Sequence, residues 1–265
     1  MQTRTNHEID YHIYGEEMQY VEVELDPQET AIAEAGAFMM MDEAVQMETI
    51  FGDGRGQEKG FFGKLMSAGK RVLTGESLFM TAFTNAGQGK KRVSFASPYP
   101  GKIIPLDLLE LGGKMICQKD AFLCAAKGVA VGIEFQRKLG TGLFGGEGFI
   151  MQKLEGDGMA FVHAGGHVFG RDLQPGEVLK IDTGCIVAFT PSVDYDIQFV
   201  GGIKNTLFGG EGLFFATLRG PGRVWIQTLP VSRLASRILA YGTYKRKDEG
   251  SLLGGLGNLL DGDGV

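Results

Sequence analysis

The chain has 265 residues, 43% of them hydrophobic and 22% charged, with a formal net charge of −6. That composition excludes a disordered chain, and no apolar run approaches the roughly 20 residues a spanning helix needs. The negative charge argues against general attraction to nucleic acid, so no nucleic-acid partner is expected.

The 42 glycines against 8 prolines predict many short strands joined by tight turns, because glycine enters left-handed backbone without strain. The first residues, MQTRTNHEIDYHIYG, have no apolar core and no small-residue cleavage site, so no secretory signal is expected. Cys117, Cys124 and Cys185 are odd in number and form no CxxC pair, which fits a reducing, cytoplasmic location with free thiols. Val21, Val23 and Leu25 alternate with glutamates and predict a strand with one buried face. Pro27, Pro175 and Pro221 are assigned to turns.

Further along, the chain repeats itself. LFGGEGF at 143–149 returns as LFGGEGL at 207–213, and Glu147 and Glu211 stand 64 residues apart. Gly156-x-Gly158 returns as Gly220-x-Gly222 at the same offset, and Val131–Phe135 matches Tyr195–Phe199. A more diverged copy lies upstream: GESLF at 75–79 matches GEGFI and GEGLF, Gly87-x-Gly89 matches the GxG turns, and Ala35–Met39 matches the segment at Asp120. The first copy carries an insertion near 51–74. The expected fold is all-β: three double-stranded β-helix or β-sandwich-like units around a pseudo-three-fold axis, with copies at about 18–103, 104–167 and 168–230 forming one domain over 1–230. Residues 231–265 are expected to be a short C-terminal helix and a Gly/Leu-rich tail. One unit could not bury its apolar face alone, whereas three together close a core.

The stretches at 10–41, LTGESLFMTAF at 73–83 and the two LFGGEG loops resemble the altered-inheritance-of-mitochondria protein twenty-four family, over about residues 8–230. The resemblance implies a fold similar to the tryptophan-RNA-binding attenuation protein. It also links a mitochondrial relative to inner-membrane organisation, while bacterial members have no settled activity. It supplies no catalytic residues, and the attenuation protein's ligands do not transfer with a fold.

Glu76, Glu147 and Glu211 put one carboxylate at the same place in each copy. They could cluster to bind a cation or basic partner. The preferred reading is a carboxylate that accepts from turn N–H groups, since turn-fixing residues are kept in triplicate and catalytic ones rarely are. The LFGGEG loops lack the GKS or GKT of a phosphate loop. His163 and His167 share no helix face, and their equivalents 64 residues on are Gln227 and Val231, so no metal is expected. No serine or cysteine lies in a nucleophile motif, and neither a catalytic residue nor a cofactor is expected.

Two segments lie outside the repeat. Phe61, Phe62, Leu65, Met66 and Leu73 interleave with Lys64, Lys70 and Arg71, a pattern that can dock on an anionic membrane or a partner, or cap the fold's own end. Leu234, Ile238 and Leu239 share a side of a helix predicted at 232–247, which ends in Lys245, Arg246 and Lys247. The leucine-rich tail beyond it either orders on a partner, a neighbouring subunit or a membrane, or stays disordered. The expected function is a non-enzymatic binding or scaffold protein with a protein partner. It would be peripheral to the inner face of a membrane and able to form homo-oligomers. The alternative is a small-ligand-binding or enzymatic β-helix barrel with a pocket in one copy. A ring-forming RNA binder ranks third, for want of a basic aromatic stripe.

Overall fold

The computed structural model describes residues 5–34, 36–51, 79–137, 149–200, 213–239 and 241. Nineteen strands account for most of them. β1 (Asp10–Tyr14), β2 (Tyr20–Leu25), β3 (Thr30–Glu34), β4 (Phe38–Met41), β5 (Val45–Phe51), β6 (Phe79–Asn85) and β7 (Lys91–Ala96) come first. β8 (Gly101–Asp107), β9 (Lys114–Gln118), β10 (Phe122–Ala126), β11 (Ala130–Arg137), β12 (Phe149–Glu155) and β13 (Met159–Gly165) follow. β14 (Val168–Leu173), β15 (Val178–Asp182), β16 (Ile186–Phe189), β17 (Asp194–Val200), β18 (Leu213–Arg219) and β19 (Gly222–Gln227) complete the set. Single 3-10 turns at Lys119–Ala121 and Thr183–Cys185 precede β10 and β16. Residues 231–239 form a helix.

The strands make four open sheets: β1-β2-β7-β4, β5-β6-β3-β10-β13-β8, β11-β12-β9-β16-β19-β14 and β15-β18-β17. Every pairing is antiparallel. Among the described residues no sheet closes on itself, so the barrel of the alternative reading is absent from them. Each sheet instead ends in edge strands such as β4, β8 and β15.

Residue pattern explains position in the sheets. β2 buries Val21, Val23 and Leu25 completely and turns its glutamates toward solvent, as expected for a strand covered on one face. β10 and β16 lie inside six-stranded sheets and read FLCAA and IVAF, buried along their whole length. Such unbroken apolar runs mark strands covered on both faces. Pro27, Pro175 and Pro221 fall in turns or bends. Pro105 lies within β8, an edge strand where a missing N–H costs no ladder bond.

Among the described residues, three cores sit between successive sheets. One packs Val21, Val23, Phe95 and Val93 of the first sheet on Ala31, Phe83 and Leu123 of the second. A second joins Leu106, Ala160 and Val162 to Met115, Val131 and Leu154. The third joins Met151, Phe189 and Val224 to Ile181, Ala216 and Leu218 of the last sheet. Where β8 pairs with β13, Gly101 faces Gly165. A Cβ on Gly101 would land on the carbonyl oxygen of Ala164, so the two backbones meet only because no side chain intervenes.

Candidate functional site

Glu76, Glu147 and Glu211, and the docking candidates Phe61, Phe62, Lys64, Leu65, Lys70 and Arg71, lie outside the described residues, as does the leucine-rich tail. The three GxG motifs do fall in described turns, joining β6 to β7, β12 to β13 and β18 to β19. A carboxylate that shapes a turn occurs elsewhere, in a place the sequence reading passed over. Glu29 accepts from the Asp26 N–H at 2.8 Å in the turn DPQE, and Glu177 accepts from the Gln174 N–H at 2.8 Å in QPGE. The shared Pro-x-Glu spacing was the available signal. Gln28 holds a left-handed φ of 73° where the second turn has Gly176 at 79°.

The two histidines do not meet as ligands. His163 is buried on β13, edge-on to Tyr99 with ring centroids 5.0 Å apart, and its Nδ1 has no hydrogen-bond partner. Burial pushes its pKa down to about 4, so it is a neutral core histidine near neutral pH. His167 lies exposed in the turn beyond β13, where its backbone N–H donates to Thr228 Oγ1 at 2.9 Å. Among the described residues no three His, Cys, Asp or Glu side chains are grouped to hold a metal. Cys117 and Cys124 are fully buried and their thiols are pushed up, Cys117 to about 12, which removes thiolate reactivity. Cys185 is half-buried.

Glu34, at the end of β3, is the most perturbed carboxyl group among the described residues. Burial first, and then the nearby negative charge of Asp120, raise its pKa to about 7 despite the opposing pull of Lys119. The same two carboxyls raise Tyr99, whose pKa burial already drives up, to about 12. Glu34, Asp120 and Tyr99 therefore share one electrostatic neighbourhood where β3 meets β10.

A cleft of about 480 Å³, open to solvent, lies among Leu111, Gly112, Asp172, Leu173, Thr190, Pro191, Ser192, Gly222 and Arg223. Several of its polar groups are engaged with neighbouring residues of the protein. Thr190 Oγ1 accepts from the Arg223 N–H at 3.0 Å, and the Arg223 guanidinium sits 5.3 Å over Trp225 and 3.8 Å from Asp172. This is not the deep apolar pocket with converging polar groups that a small-ligand site requires. Elsewhere, the N-terminal segment clasps two turns. Asn6 Oδ1 accepts from the Asp157 and Gly158 N–H groups at 2.7 and 3.0 Å, while the Asp157 carboxylate accepts from Thr5 and Asn6. The His7 N–H donates to the Lys127 carbonyl at 3.0 Å.

The surface that stands out is β4. Phe38, Met39, Met40 and Met41 are 41%, 47%, 43% and 37% exposed, a contiguous apolar strand at the edge of the first sheet. Phe38 is anchored by stacking on Phe83 with centroids 5.5 Å apart. An apolar edge with free backbone groups is a template for association. The run FMMM, apolar without alternation, was its signal in the sequence.

An uncharacterized protein of Streptococcus pyogenes serotype M6 is 32% identical over 225 residues, covering 83% of this chain and 86% of its own length. A crystal structure of a Streptococcus pyogenes protein aligns with a TM-score of 0.67 and 24% identity, covering 88% of this chain and 99% of the other; it shares the fold. The family model described as mitochondrial biogenesis AIM24 matches residues 11–229, and the chain belongs to that family.

Proposed function

We propose that this protein is a non-enzymatic binding scaffold made of three tandem copies of one six-stranded unit: β2–β7, β8–β13 and β14–β19. The pairings support this reading. In each group the first and third strands flank the sixth, and the second and fourth flank the fifth. The third strand slips register on the sixth at the same place each time, between Phe38 and Met40, Phe122 and Cys124, and Ile186 and Ala188. The observation that carries a binding role is the third strand itself. It is buried throughout in β10 and β16 and exposed throughout in β4. Contiguous apolar residues at a solvent-facing edge are accounted for by something that covers them.

The test is affinity purification of the intact chain from its native cells beside a Met39→Glu, Met41→Glu variant. Loss of a stoichiometric bound component by about tenfold or more is expected, as for a central apolar hot spot. Equal recovery by both proteins would sink the reading. The basic, aromatic segment at 60–73 and the cluster Lys245–Lys247 support a cytoplasmic position beside an anionic membrane. Salt-sensitive sedimentation with anionic vesicles, lost on deleting either segment, is the expected result. Equal sedimentation with neutral vesicles would remove the membrane from the proposal.

A further inference from the structure

We infer that β4 of one copy of this chain pairs with β15 of a second copy, so that molecules join head to tail through sheet edges. The inference rests on the scaffold reading and names its partner.

Two joints inside the chain supply the pattern. At the first, β10 pairs antiparallel with β3, with Cys124 opposite Ala33 and Ala125 opposite Ile32. At the second, β16 pairs with β9, with Ala188 opposite Cys117 and Phe189 opposite Ile116. Each joint unites the third strand of one unit with the second strand of the unit before it. A third joint of this kind needs the two strands left over, β4 and β15, and both are sheet edges. Their registers on their own neighbours fix how they would meet. Met40 follows the same slip as Cys124 and Ala188. Ile181 faces Ala216 as Cys117, 64 residues earlier, faces Gln152. Met40 is therefore placed opposite Ile181, and Met41 opposite Lys180.

Burial points the same way. Phe38–Met41 are exposed where both counterparts are buried, and Val178 at the start of β15 is 48% exposed. Closure within one molecule is disfavoured by the packing. The first sheet shares its core with the second and the last sheet with the third, and among the described residues no core cluster joins first to last. A second copy brings the missing edge with the register already used twice. It would complete a seven-stranded sheet, β17-β18-β15 of one molecule continued by β4-β7-β2-β1 of the next. Because the two edges differ, the contact is heterologous and propagates into a ring or an open chain of molecules. Lys180, where the internal joints have Ile32 and Ile116, lays an aliphatic stem beside Met41 and keeps the contact reversible.

The experiment uses the full chain. Light scattering should give masses at multiples of 28.6 kDa that fall to the single-chain mass in the Met39→Glu, Met41→Glu variant, with the far-ultraviolet dichroism of a folded β protein retained. Independently of that variant, Met41→Cys with Lys180→Cys in a Cys185→Ser background should form, on mild oxidation, a disulfide between copies that joins the two β-strands. It should appear as a ladder on non-reducing gels and map by mass spectrometry to residues 41 and 180. A single-chain mass at every concentration, or a 41–180 disulfide confined within one chain, would overturn the inference. If that single-chain mass accompanies β4-dependent capture of a different protein, only the self-pairing fails and the scaffold reading stands.

Discussion

Replacing Glu34 with glutamine removes a carboxyl group that burial and Asp120 together hold in its protonated form, with a pKa raised from 4.5 to about 7. In the unfolded chain the same group ionises near its ordinary value. Between those two pH values the folded state binds more protons than the unfolded state. The contribution of Glu34 to stability is therefore lost as pH rises from about 4.5 through about 7. The gap corresponds to about 3 kcal/mol in principle, and partial solvent access at the end of β3 lowers the expected loss to about 2 kcal/mol. Glutamine keeps the shape and carries no charge, so Glu34→Gln should be more stable than wild type by about 2 kcal/mol near pH 8 and nearly equal to it near pH 4.5. Urea unfolding followed by tyrosine and tryptophan fluorescence at several pH values measures the difference directly. Parallel stability curves for the two proteins from acid to alkaline pH would refute the reasoning, because a constant offset reflects packing and carries no proton linkage.

His163→Gln probes the opposite sign. The folded pKa of His163 is lowered to about 4 by burial, so its contribution is present above the unfolded value and lost as pH falls from 6.5 toward 4. The variant should lack this acid-side decline in thermal midpoint, and an unchanged decline would assign it to other groups. Asn6→Ala should cost about 1–2 kcal/mol, because the Asp157 and Gly158 N–H groups lose their acceptor. Faster amide exchange around 127–128 and 156–158 is the local readout, and unchanged exchange there would show that the N-terminal clasp is not holding those turns.

How much of this was legible beforehand differs from element to element. The alternation of Val21, Val23 and Leu25 identifies a strand covered on one face, because side-chain periodicity is a local property of the backbone. The 64-residue offset likewise equates Cys117 with Ile181, and the GxG turns fall between paired strands as the spacing implies. Pairing across distance is not local. That β10 lies beside β3 while β4 lies at an edge depends on which chain segments reach each other, and identical strand patterns are compatible with either outcome. The same holds for Glu34, whose pKa is set by the burial and by Asp120, 86 residues away in sequence, and for Asn6, whose partners lie 151 and 152 residues on. The sequence by itself determined the predominantly β character, the turns at the prolines and GxG motifs, and the family. The tertiary structure decided which edges stay open and which polar groups are buried, because both follow from contacts between residues that the chain order keeps far apart.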